Sequence, residues 1–412
     1  MSQRRTTGRL TDDDELWASR RRHPTARPVP SPRPSKTYVG LAVVLVALNL
    51  LGLVMVLSAS SVSALDTYGS SWYVVMRQAM FMLVGGAACV VAMRLDYHRW
   101  RRFTRPLLLG TGLLLGAVLV PGLGTSANGA TRWLGYGPLS FQPSELAKLT
   151  VLLFAADLLA RRAAWVADTR VTLRPVLVVL LGVAGLLMLQ PNLGTTLVLG
   201  SIVLTVLYVA GTPLRPLATV AASGAAAAVV LALAAPYRRA RVLAFLDPWA
   251  DYQNTGYQTI QSLVGLASGG LTGTGLGESR AKWGFLPYAH TDFIFAIIGE
   301  ELGLIGALTV VGLFTAFCVL GARAALLAPD RFGMLLAAGI TTWFGMQAFV
   351  NIGAVIGILP ITGVPLPFVS HGGTSLVINL VAAGLLLNVA RQGRLPEPRR
   401  RRPARPDALV AP

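Results

Sequence analysis

Ten apolar runs, each close to 20 residues, constrain this chain more than any other feature. They lie at 38–60, 72–93, 105–121, 143–160, 173–190, 193–211, 216–235, 292–320, 332–354 and 373–390. A helix needs about 20 mainly apolar residues to cross a bilayer. The runs therefore predict an all-α integral membrane protein with about ten transmembrane helices. Composition agrees, since 54% of the residues are apolar and only 13% are charged. Ordinary soluble domains carry about 25% charged residues, so a water-soluble globule of this size is excluded. No cleavable signal is evident, because the first 37 residues are polar. Cys89 and Cys318 both fall in apolar runs and offer no disulfide framework or Cys-type metal site.

The formal net charge is +18. Nucleic-acid binding does not explain it, because the arginines are scattered between apolar runs. Sidedness does. With ten spans, the tails and loops 94–105, 161–174, 215 and 323–331 share one side and hold 28 of the 36 Lys and Arg. Positive residues in short loops favour the cytoplasm, so both termini are expected there. The opposite side receives Arg132, Arg238, Arg239, Arg241, Arg280 and Lys282. Residues 1–37 and 391–412 read as disordered basic cytoplasmic tails flanking a membrane domain at 38–390.

Three external segments are too patterned to be simple connectors: 122–145, 236–292 and 355–372, the second a large loop between helices 7 and 8. Long structureless loops are usually functional or disordered, and the first two carry aromatic residues beside charges, while the third has no Lys or Arg. Gly269–Gly277 has two readings, a phosphate cradle of backbone N–H groups or a mobile loop or re-entrant turn. A little further on, Asp292 stands at the mouth of an apolar helix, with His290, Lys282 and Arg280 nearby. A carboxylate there is either a helix cap or a general base whose pKa is set by burial against neighbouring cations. The last segment, rich in Pro and Gly, includes Ser370 and Gly372, with Gly373 directly after it, and is expected to line a cavity, as broken backbone at the interface must. Glu145, Lys148, Asp157, Arg77, Glu300 and Glu301 lie within or beside spans. Intramembrane ionisable groups are functional or paired with one another, and both readings stay open.

Taken together, these stretches resemble the SEDS family of polytopic cell-wall proteins, which includes FtsW, RodA and sporulation relatives. Four motifs over residues 40–390 carry the likeness: Asn128–Leu134 with Gln142–Lys148, Gln190–Thr195, His290–Ala296 with Gly299–Gly303, and Pro365–Phe368 with Ser370–Ser375. Met55–Ser61 and Ile297–Glu301 look most like the division branch, FtsW, and the Arg-rich tails like those of a high-GC Gram-positive bacterium.

The resemblance implies a peptidoglycan glycosyltransferase that inverts the donor linkage. It would polymerise lipid II into β-1,4 glycan and release undecaprenyl diphosphate for septal wall synthesis in the cell membrane. Partners implied are a class B penicillin-binding transpeptidase and other divisome membrane proteins, with no nucleic acid. An elongation polymerase of the RodA type and a lipid II flippase are the alternatives. Asp292 corresponds to the family's essential acid, and Arg132 and Trp133 to its functionally sensitive pair. Substrate or diphosphate binding is assigned to Arg132, Trp133, Lys282, Arg280, Arg238, Arg239, His290, Ser370, Gly372 and Gly373. Structural or coupling roles go to Glu145, Lys148, Gln190, Glu300 and Glu301. No metal-ligand spacing occurs; a divalent cation (Mg or Mn) enters only as help for the diphosphate. Two residues depart from the family pattern: Tyr288, where Glu is common, and His371, where Tyr is usual.

Overall fold

A computed structural model of the chain describes residues 35–127, 130–135 and 140–393. The expected tails, apart from 35–37 and 391–393, and part of the first external loop, including Asn128 and Gly129, lie outside the described residues. Each of the ten apolar runs carries a helix: α1 Lys36–Tyr68, α2 Tyr73–Arg94, α3 Thr104–Val118, α4 Pro143–Arg161, α5 Leu173–Leu189, α6 Leu193–Ala210, α7 Leu214–Ala234, α10 Ile294–Leu326, α11 Arg331–Val355 and α12 Gly373–Gln392. Among the described residues, seven of these are long and apolar enough to cross a membrane. The other three fall short on length or charge: α3 has 15 residues and α5 has 17, while α4 carries Glu145, Lys148 and Asp157. Helix ends follow local chemistry. Pro143 opens α4, where its missing N–H costs nothing. The Asp330 carboxylate accepts from Gly333 N at 2.9 Å to cap α11. A short antiparallel hairpin, β1 Gly124–Ala127 and β2 Ala130–Leu134, follows α3.

The core lies along α11 and α12, whose Leu335, Leu336, Ile340, Trp343, Phe344, Leu385 and Val389 are buried. Helix α12 packs most extensively on α2. Lipid tails are as apolar as Leu, so helices in a membrane gain by close packing rather than by escaping water. Small residues permit this here: a Cβ on Gly384 would stand 2.5 Å from the Cys89 carbonyl oxygen, and one on Gly85 2.7 Å from Leu380 Cδ1. Helix α7 is peripheral, with Leu217 its one buried residue among those described. At one end of the bundle, loops expected to be cytoplasmic meet in polar contacts. Arg101 Nε donates to Asp157 at 2.6 Å, His98 lies 2.9 Å from Asp330, and Arg331 donates to the Ala210 carbonyl.

The segment 236–292 is not the irregular loop its length suggested. It contains α8 Pro236–Leu246 and α9 Tyr257–Gly269, the latter apolar along one face and packed on α10. The glycine-rich stretch that follows is a re-entrant turn joined to a broken α10. Gly303 adopts φ 66°, ψ −164° within that helix, which frees backbone groups at membrane depth. The turn satisfies them: Thr274 N and Gly275 N donate to the Glu300 and Glu301 carbonyls at 3.0 and 3.1 Å, and Leu304 N donates to Gly270 O at 3.0 Å. A Cβ at Gly269 or Gly273 would clash with α10 backbone. These glycines therefore serve close backbone packing, and the N–H groups of Thr274 and Gly275 are engaged within the protein. That engagement favours the re-entrant turn over a phosphate cradle.

Candidate active site

At the other end of the bundle, the hairpin, the α5–α6 turn, α8, the residues before α10 and the segment before α12 converge on Asp292. Its backbone is fixed by Asn351, whose Nδ2 donates to the Asp292 carbonyl at 2.8 Å and to the Val364 carbonyl at 2.9 Å. The side chain opens into a narrow crevice walled by Phe293, Asn351, Ile361, Gly363 and Val364. Gly363, at φ 70°, brings bare backbone beside the carboxylate; a Cβ there would lie 3.7 Å from Asp292 Oδ2. Among the described residues, no side-chain hydrogen bond or ion pair within 4.0 Å reaches this carboxylate. Burial pushes its pKa from the usual 3.8 up to about 6, against the opposing pull of Arg241 and Arg132. The cap reading is not supported, because α10 has no side-chain cap bond.

The two arginines reach the site from distant parts of the chain. Arg132, on β2, donates from Nε to Gln190 O at 3.1 Å and from Nη2 to Pro191 O at 2.5 Å, which anchors the hairpin on the α5–α6 turn. Gln190 is held in turn by its own amide, which donates to Leu115 O at 2.9 Å. Arg241, on α8, lies over the Tyr237 ring at 4.5 Å and donates to the Ile361 carbonyl at 3.4 Å. The sequence assigns binding to Arg238 and Arg239, and the structure adds Arg241 from the same short helix. Arg238 is half-buried and Arg239 is exposed.

Other candidates separate into those beside Asp292 and those elsewhere. Trp133 follows Arg132 on β2 and is half-buried. His290 sits two residues before Asp292, its carbonyl accepting from His371 N at 2.9 Å. Burial lowers the His290 pKa. Ser370 is turned into its own loop, where its Oγ accepts from Leu366 N at 2.9 Å. Gly372 precedes α12, and Gly373 packs on the Phe81 ring.

Lys282 does not join Asp292. Its Nζ donates to the Gly277 carbonyl and lies 3.6 Å from Glu301, deep beside α10. Arg280 points its side chain to the exterior and gives its backbone N–H to Glu300 at 2.8 Å. Glu300 also accepts from Ser279 Oγ at 2.5 Å, and Glu301 from Ser58 Oγ at 2.6 Å. Glu145 and Lys148 pair at 2.9 Å. Ser375 Oγ donates to Glu145 at 2.7 Å, and Lys148 lies over the Trp343 ring at 4.9 Å. The intramembrane acids of this group are thus ion-paired or hydrogen-bonded. Asn351 is the further residue that sequence reasoning missed, since an asparagine inside an apolar run carries no mark of what it will meet.

Comparison with known proteins agrees with this architecture. A family model described as a cell cycle protein, covering FtsW, RodA and SpoVE, matches residues 39–395. The probable peptidoglycan glycosyltransferase FtsW of Geobacter metallireducens is 44% identical over 345 residues, spanning 84% of this chain and 92% of that protein. Stage V sporulation protein E of Bacillus subtilis is 40% identical, over 87% of this chain and 99% of its own. Among solved structures, a chain of a peptidoglycan synthase complex that coordinates polymerization and crosslinking superposes with a TM-score of 0.70. It is 34% identical, covering 86% of this chain and 97% of that one. The rod shape determining protein RodA of Thermus thermophilus gives 0.64 at 31% identity, over 87% and 97% of the two chains.

Proposed function

The chain belongs to the FtsW, RodA and SpoVE family of cell cycle proteins, and from that premise we propose that it is a peptidoglycan glycosyltransferase. It joins lipid II units into β-1,4 glycan and releases undecaprenyl diphosphate. One observation carries the reading: a half-buried carboxyl held near pH 6 that no neighbour saturates, with two guanidiniums beside it. The acceptor 4-hydroxyl gives its proton to Asp292 as its oxygen attacks the anomeric carbon of the donor. The bond from that carbon to the diphosphate breaks on the opposite face, and its electron pair leaves on the phosphate oxygen. Arg132 and Arg241 stabilise that departing charge through charge-assisted bonds. An apolar groove of about 510 Å³ between α9, α10 and α11, lined by Leu266, Phe295, Leu304, Leu308 and Ile352, suits the polyprenyl tail.

The chain is a multi-pass membrane protein, and the septum is its proposed place of work because relatives named FtsW are similar over most of its length. Likeness to a chain of a peptidoglycan synthase complex supports a class B penicillin-binding transpeptidase as partner. Other divisome membrane proteins complete the proposed assembly. A divalent cation, Mg or Mn, rests on the diphosphate charge alone. Among the described residues no three His, Cys, Asp or Glu converge, so a cation here would be held by Asp292 together with the diphosphate itself. The flippase reading is weakened by the pairing of Glu145, Lys148, Asp157, Glu301 and Lys282. Purified protein with its transpeptidase, given lipid II in liposomes, should make glycan that gel electrophoresis resolves. Lipid flipping without polymer would overturn the proposal.

A further inference from the structure

A second cleft, of about 160 Å³, is lined by His290, two residues before Asp292. It shares no lining residue with the Asp292 crevice. Its rim is aromatic. Tyr68 at the end of α1 and Tyr73 at the start of α2 stack with centroids 4.1 Å apart and planes at 22°. Both rings are well exposed, at 53% and 39%. Arg77 lies one turn beyond Tyr73, so the same face of α2 presents ring and guanidinium together. The floor is made by His290 and His371, whose rings are 5.8 Å apart. His371 Nδ1 is buried and has no hydrogen-bond partner among the described residues. Burial, with His290 and Arg77 adding to it, drives the His371 pKa down to about 3, so this imidazole is neutral and both donates and accepts.

The charge inventory decides what fits. A diphosphate or a metal would want several cations or several carboxylates, and this cleft offers one guanidinium and neutral imidazoles. An exposed ring face beside paired donors and acceptors is instead the chemistry of a pyranose, with its apolar face on the aromatic plane and its hydroxyls on the polar groups. Arg77, which also lies over the Phe81 ring at 5.8 Å, brings a guanidinium to the edge of the cleft.

We propose that the cleft bounded by Tyr68, Tyr73, Arg77 and His371 is a saccharide subsite that seats the sugar offering the attacking hydroxyl. This rests on the glycosyltransferase reading and deepens it. An inverting displacement needs nucleophile and leaving group on opposite sides of the anomeric carbon. The single-cation cleft lined by His290 is separate from the Asp292 crevice beside Arg132 and Arg241, so the acceptor sugar is held apart from the diphosphate while its hydroxyl reaches past His290 to the Asp292 carboxylate. The acceptor sugar enters over the tyrosine stack, and the diphosphate departs past the arginines.

The test uses the full chain in nanodiscs and a water-soluble probe, the GlcNAc–MurNAc–pentapeptide unit without its lipid. Binding is read by ligand-observed NMR and, separately, by inhibition of lipid II polymerisation. Tyr73→Ala and Arg77→Ala are expected to weaken probe binding at least tenfold and to raise KM for lipid II more than they lower kcat. Tyr73→Phe, which keeps the ring, should stay within twofold of wild type. Asp292→Asn should bind the probe normally while making no polymer. Unchanged probe affinity in both alanine variants, with thermal stability intact, overturns the subsite. So does loss of binding in Tyr73→Phe equal to that in Tyr73→Ala. A wild-type protein that binds the probe through these residues yet makes no glycan would instead overturn the polymerase reading.

Discussion

Asp292 and Glu301 are nine residues apart in one stretch of chain, both acids in a largely apolar setting, yet they live in opposite circumstances. The Glu301 carboxylate is fully enclosed and satisfied: Ser58 Oγ stands 2.6 and 2.8 Å from its two oxygens, Ser279 N donates at 3.4 Å and Lys282 lies at 3.6 Å. Asp292 has two guanidiniums in its neighbourhood and, among the described residues, no hydrogen bond to its carboxylate. A carboxylate whose lone pairs are filled holds structure together and has little capacity left for a transient proton. One held by burial alone is poised to take a proton and give it back. Both acids stand out in the sequence, but only their partners tell them apart.

The largest expected effect breaks the comparison at Asp292. Replacing a general base costs roughly 10² to 10⁴ in rate, so Asp292→Asn should fall by that much in lipid II polymerisation. Its stability should move the other way. The folded-state pKa lies above the unfolded value, so the ionised carboxyl opposes folding above about pH 6, and that penalty vanishes as pH falls below 3.8. Asn removes it, and a melting temperature at neutral pH equal to or above wild type is expected. Glu301→Ala should do the reverse. Removing one partner of a buried pair costs about 3–5 kcal/mol, visible as a lower melting temperature or poor accumulation. Glu301→Gln should lose less, because its carbonyl can still accept from Ser58. Arg241→Ala and Arg132→Ala sharpen the picture, each lowering the rate by roughly 10²-fold. The melting temperature should stay near wild type in Arg241→Ala and fall in Arg132→Ala, which also loses the anchor on the α5–α6 turn. The smallest effect belongs to the far end of the bundle. Asp157→Asn, where Arg161 is 59% exposed, should cost about 1 kcal/mol and leave polymerisation unchanged.

The ten helices were legible because most of the runs are apolar on every side, a pattern that only burial in lipid or protein explains. Asp292 was legible because a charged residue at the end of such a run is costly. Its surroundings were less so. Arg241 reaches it only because α8 folds back from the end of α7, and nothing in the order of residues says which of three clustered arginines will face inward. Lys282 shows the opposite error: proximity in sequence suggested Asp292, and the fold delivered Glu301. The glycines of 269–277 allow two readings, a phosphate cradle and a mobile loop or re-entrant turn. The deciding fact was the break at Gly303, whose orphaned backbone groups they satisfy.

The most direct measurement of the central claim is the pH dependence of kcat/KM for lipid II polymerisation in wild type and Arg241→Ala. With Asp292 as the base, the rate should fall as pH drops through about 6, because the protonated carboxyl cannot accept the hydroxyl proton. Removing Arg241 takes away a charge that favours the ionised form, so the midpoint should move to higher pH. A profile flat from pH 5 to 8, or a midpoint that moves downward in Arg241→Ala, would contradict the account.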